Sequence, residues 1–143
     1  MSRYIDIAFE FNKANSVSSI IGALVGGGWR PDDDGRIKFL VEPDLFDWED
    51  MPLDCDCAAI EKMEVARIVN GSCAIILTWE NTGIGASFLI SSAGRQLSVD
   101  PRVDTVYRRD VDIYVDFEWY ISKILPSVSG LGLSGYRISD LPA

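Results

Sequence analysis

Chemistry in this chain has to be sought among its carboxylates, because the 143 residues include no histidine. Ser-His and Cys-His nucleophile pairs are thereby ruled out, and proton transfer near neutral pH falls to Asp, Glu, Lys, Tyr or Cys. The densest acidic group is "EPDLFDWEDMPLDCD", residues 42–56, where Glu42, Asp44, Asp47, Glu49, Asp50, Asp54 and Asp56 stand with no Lys or Arg among them. Leu45, Phe46, Trp48, Met51 and Leu53 are interleaved with these acids, so the segment is both anionic and apolar. Asp32, Asp33 and Asp34 form a second group just upstream. Glu80 in "TWENTG" and Glu118 in "DFEWY" lie beside aromatics able to stack on a sugar, as the acids of a glycosidase do. Carboxylates next to aromatics are commonplace, so that pair is a weak catalytic signal.

Other motifs lose their chemistry on inspection. Cys55-Asp56-Cys57 lacks the four ligands and the Cys-x-x-Cys or His spacing of a structural zinc site. Asp32-Asp33-Asp34-Gly35 lacks the alternating acids and distant Glu of a calcium loop, and reads as a turn. Gly130-x-Gly132-x-x-Gly135 matches the dinucleotide fingerprint in letters, yet it follows a helical pattern instead of a strand and is read as a connector. Gly26-Gly27-Gly28 has no following Lys-Ser/Thr and reads as a helix stop. No metal and no cofactor are expected.

Charge narrows the partners. Asp and Glu number 22 against 13 Lys and Arg, a net charge of −9. Such a field repels nucleic-acid phosphates and anionic membranes and speeds encounter with basic proteins. Arg95, Arg102, Arg108 and Arg109 are too diluted by Asp to form a nucleic-acid stripe. An odd set of three cysteines and an N-terminus without a basic-then-apolar pattern suit a reducing cytoplasm, and no apolar run is long enough to span a bilayer.

The elements that must position these residues follow from periodicity. Residues 3–11 alternate, with Ile5, Ile7, Phe9 and Phe11 on one face of a strand. Val17, Ile20, Ile21, Leu24 and Val25 form a helical stripe opened by Asn15 or Ser16. A strand is expected at 36–41, then a long loop or irregular pieces over the acidic segment, interrupted by Pro43 and Pro52. Ala59, Ile60, Met63, Ala66, Ile68 and Val69 fit a helix begun near Asp54 or Asp56; Asn70-Gly71 ends it, or else turns a hairpin. Residues 73–80, 85–91 and 95–100 read as an antiparallel meander, and 111–115 as another strand. Asp116 caps a helix whose stripe is Phe117, Tyr120, Ile121, Ile124 and Leu125, closed by Pro126, and "GYRISDL" supplies a last short strand. The sum is one α+β domain over residues 1–143, a mostly antiparallel sheet packed in two layers against two or three helices.

"CAIILTWENTGIGASFLI", "VDIYVDFEWYISKILP" and "YRISDL" together resemble small immunity proteins of bacterial polymorphic toxin systems, including contact-dependent growth inhibition. The resemblance covers roughly the C-terminal half, and its most recognisable piece is Asp116 to Tyr120. It implies a non-enzymatic cytoplasmic protein that binds and neutralises one cognate toxin domain, often a nuclease. No binding residue transfers by motif, since such proteins vary most where they touch the toxin. From the residues themselves, an aromatic anchor within a charged rim is the anatomy of a binding hot spot, and dense carboxylates imitate phosphates. The expected toxin-binding face comprises Asp32, Asp33, Asp34, Asp44, Asp47, Trp48, Glu49, Asp50, Asp54 and Asp56. The alternatives are a carboxylate-dependent hydrolase of small sugars and a non-catalytic adaptor module.

Overall fold

The computed structural model describes residues 3–42, 47–103, 105–109 and 115–142; of residues 3, 4, 102, 141 and 142 it describes the backbone. Alternation in the first strand, β1 (Arg3–Phe11), buries Ile7 and Phe9 completely. Helix α1 (Val17–Gly26) begins where the Ser16 hydroxyl accepts the Ser19 N–H at 3.0 Å, so Ser16 is its cap. The neighbouring Asn15 is buried and ties three loops together, donating its amide to the carbonyls of Lys13, Gly94 and Leu131 at 3.1 to 3.2 Å. Gly94 sits at φ +75, and a Cβ there would meet the Asn15 carbonyl oxygen at 1.8 Å, so only glycine fits the knot.

Two residues of strand, β2 (Trp29–Arg30), lead through the Asp32–Gly35 turn into β3 (Arg36–Leu40). The acidic segment then departs from the expected loop. Glu49–Pro52 form a strand, β4, antiparallel to β3, with Arg36 opposite Pro52 and Phe39 opposite Glu49. Pro52 is tolerated because it ends a strand at the edge of the sheet, where its missing N–H breaks no interior ladder. A single turn at Leu53–Cys55 feeds α2 (Asp56–Asn70), which stops at Gly71, φ +88, whose N–H returns to the Arg67 carbonyl at 2.9 Å. The Asn70-Gly71 pair therefore ends the helix.

The meander is present as β5 (Ser72–Trp79), β6 (Gly85–Ser91) and β7 (Gln96–Val103). Of the expected strand over 111–115, residues 111–114 lie outside the described residues, and Val115 is buried and bridges Tyr107. Helix α3 (Phe117–Val128) is capped by Asp116, which accepts the Trp119 N–H at 3.1 Å. Pro126 does not close it: the helix runs two residues further, because burying Val128 completely outweighs one lost ladder bond at an exposed position. A turn at Ser129–Leu131 then enters β8 (Leu133–Pro142), so Gly130 and Gly132 lie in a helix-to-strand connection and Gly135 pairs within the strand.

The result is α+β. Among the described residues, eight antiparallel strands form one sheet in the order β4-β3-β5-β6-β7-β1-β8, with β2 also paired to β5. Register aligns Ile7, Val99, Phe88, Ile75 and Phe39 partner by partner across five strands, each at most 1% exposed. This row packs with Ile20, Leu24, Met63, Tyr120 and Ile124 from the three helices into one core. Each such side chain contributes about 1.5–3 kcal/mol of transfer free energy.

Candidate functional site

The sequence places ten residues in one acidic face; their geometry divides them. Successive strand side chains point to opposite faces. Glu49 is therefore on the helix side of β4, where Lys62 of α2 reaches it at 3.3 Å. Asp50 is on the other side, opposite Lys38 in register and 2.6 Å from Arg36. Lys38 in turn meets Asp33 at 3.1 Å, and Arg30 lies 3.9 Å from Asp32. Asp32 also builds its turn, accepting the Gly35 N–H at 2.9 Å, while the Thr78 hydroxyl donates to its carbonyl at 2.8 Å.

Four of the acids thus answer bases within the chain. Asp34, Asp47, Asp54 and Asp56 form no ion pair among the described residues, and all four are exposed. Asp56 opens α2, where its carboxylate accepts the Cys57 N–H and complements the positive helix end. Asp44, with Leu45 and Phe46, lies outside the described residues. Trp48 is 37% exposed, and Leu53 is exposed beside Asp54. The edge of the sheet around β4 and the start of α2 is accordingly where uncompensated carboxylates and accessible apolar side chains coincide.

Sequence reasoning missed the far side of α2. Ile68 and Val69, expected with the buried stripe, are 70% and 73% exposed, and Val65 is 57% exposed. At 100° per residue, Ala59 and Ala66 fall within about 60° of Met63, while Val65, Ile68 and Val69 fall roughly 140–240° away. The signal for that second stripe is present in the sequence, since Val65, Ile68 and Val69 are themselves at helical spacing. Between it and the sheet edge lies a groove of about 540 Å³, lined by Val41, Ala58, Val65 and Val69 and rimmed by Glu42, Glu49 and Glu61.

Glu80 and Glu118 are both exposed. The adjacent Trp79 and Trp119 rings lie 6.5 Å apart and edge-on, within an aromatic cluster that includes the fully buried Trp29. The Lys123 ammonium stands 5.3 Å from the Trp79 centroid and 5.9 Å from that of Trp119, so these indoles are engaged by a cation of the chain itself. Glu118 lines a separate polar cleft of about 590 Å³ with Arg108, Arg109, Asp116 and Asp140.

Burial pushes the Cys73 thiol and the Tyr120 phenol up to about 12 each. The phenolic oxygen of Tyr120 accepts the Val106 N–H at 2.9 Å, which pulls the other way and makes this a structural hydroxyl. Among the described residues no group of three or more His, Cys, Asp or Glu is placed to hold a metal, and no helix is long and apolar enough to cross a membrane. No protein-family model matches the chain, and neither the curated proteins nor the solved structures contain a match to it.

Proposed function

We propose that this protein is an immunity protein of a bacterial toxin system: a non-enzymatic, cytoplasmic binder that neutralises a basic toxin domain, expected to be a nuclease. The observation that carries the reading is the coincidence, at the β4 edge and the start of α2, of Asp47, Asp54 and Asp56, which form no ion pair among the described residues, with accessible Trp48 and Leu53. Opposite charge steers the encounter, and an apolar anchor desolvated on contact slows release. The carboxylates would take the places that substrate phosphates hold on a nuclease, excluding them without any reaction. The resemblance of the C-terminal half to immunity proteins supports the same reading.

The test is co-expression with the toxin C-terminal domain encoded immediately upstream. Co-purification together with cell survival is expected. A toxic neighbour that neither co-purifies nor is neutralised would sink the proposal.

A further inference from the structure

From the α2 groove we infer that the partner is engaged by helix-in-groove docking: a positively charged amphipathic helix of the partner lies along α2, its apolar side chains against Ala58, Val65 and Val69. For the partner's identity this rests on the reading above; the groove and its chemistry stand on their own geometry.

Shape comes first. Ala58, Val65 and Val69 lie on one face of α2, and eleven residues at 1.5 Å each make that face about 16 Å long, the span of three helical turns. Val41 at the end of β3 forms the opposite wall, and the Asn70 amide, donating to the Val41 carbonyl at 3.0 Å, closes one end. A helix with apolar residues at i, i+4, i+7 and i+11 matches that length.

Charge then selects the occupant. Among the described residues, Glu42, Glu49 and Glu61 rim the groove against one base, Lys62, which Glu49 already engages. A second copy of the chain would bring another net −9 against this rim, so a cationic partner is favoured over self-association. Strand addition to the neighbouring sheet edge is disfavoured, because β4 is four residues long and ends in Pro52. Val65 and Val69, 57% and 73% exposed, are the apolar surface such a helix would cover.

The experiment uses the full chain and, as probe, a fluorescein-labelled Leu/Lys peptide of about four turns with leucine at helical spacing. Two controls are a Leu/Lys peptide of the same composition at strand period and a Leu/Glu peptide at helical spacing. The helical Leu/Lys peptide should bind, shifting the amide resonances of α2, while both controls bind at least ten-fold more weakly. Val65→Asn with Val69→Asn keeps the charge and should weaken binding at least ten-fold; Glu42→Gln with Glu61→Gln should flatten its salt dependence. Both pairs are exposed, and an unchanged amide spectrum elsewhere verifies the fold. Equal binding of the strand-period peptide, shifts remote from α2, or an asparagine pair that changes affinity less than two-fold would overturn the inference. With the toxin domain itself, a complex indifferent to the asparagine pair overturns the groove and leaves the acidic-edge reading standing. Peptide binding in the groove without any toxin complex supports the groove and removes the immunity reading.

Discussion

Two double substitutions with the same charge change separate steering from stability. Asp47→Lys with Asp54→Lys, and Glu49→Lys with Asp50→Lys, each add four units, taking the net charge from −9 to −9 + 4 = −5. At about 10 Å in water each unit pair is worth roughly 0.4 kcal/mol, so four units amount to about 1.6 kcal/mol per partner charge before screening. That is about fifteen-fold in association rate at very low salt, falling to roughly two-fold near 0.15 M, where the Debye length is about 8 Å. Stability should separate the pairs. Asp47 and Asp54 have no ion-pair partner among the described residues, so reversing them should leave Tm within a degree or two. Glu49 and Asp50 face Lys62 at 3.3 Å and Arg36 at 2.6 Å; reversal turns two attractions into repulsions. Exposed pairs of this kind are worth about 0–1 kcal/mol each, so the loss is about 1–2 kcal/mol, or roughly 3–8 °C in Tm. Stopped-flow association with the proposed toxin partner across a salt series, beside thermal denaturation of each variant, reads both effects. Association unchanged at low salt in both doubles would refute steering by this edge, and equal Tm values would refute the pairing drawn for β4.

Three other expectations concern the fold itself. Tyr120→Phe removes the acceptor of the partly buried Val106 N–H and should cost about 0.5–1.5 kcal/mol in denaturant unfolding, and ultraviolet titration should show Tyr120 ionising only near pH 12. Burial pushes the Asp6 carboxyl above its ordinary value, against a downward pull from Arg137. The folded chain therefore keeps that proton to higher pH than the unfolded one, and the group's contribution, complete below about pH 4, declines as pH rises through the folded value. Asp6→Asn should raise Tm at pH 7, with the gain shrinking to nothing by about pH 3–4; a gain independent of pH would contradict the assignment. Iodoacetamide should label exposed Cys57 first and Cys55 more slowly, since desolvation and Asp54 raise its thiol, and it should reach buried Cys73 only on unfolding.

Local signals carried much of the fold. The period-2 run at residues 3–11, the Ser16 and Asp116 caps, the Gly71 stop and the β5-β6-β7 meander each depend on residues within a turn or two of one another. Sheet order was not legible. β1 lies between β7 and β8, pairing with residues some 90 and 130 positions away, and no local pattern specifies which distant edges meet. Strand β4 was missed for a different reason: acids and two prolines oppose β structure in isolation, and the pairing with β3 that overrides them is tertiary.

Pairing between distant elements also limits what an acidic run says about a binding face. Residues 47–56 are continuous in sequence, but the pleat of β4 sends Glu49 toward α2 and Asp50 toward Arg36 and Lys38. Bases absent from the run are supplied by other elements, so charge density along the chain overstates charge density on the surface. What survives compensation is Asp34 together with the carboxylates just before and after β4, where Asp47, Asp54 and Asp56 keep their fields. Apolar exposure follows the opposite course: Val65, Ile68 and Val69 look like core in sequence and emerge as surface, because α2 seats on the core through Ala59, Met63 and Ala66, with Ile60 packed beside them. A partner-binding surface on this chain is therefore set by what the fold leaves unsatisfied, carboxylates that meet no base among the described residues and valines left exposed, and along α2 it is Glu42 and Glu61 that border Val65 and Val69.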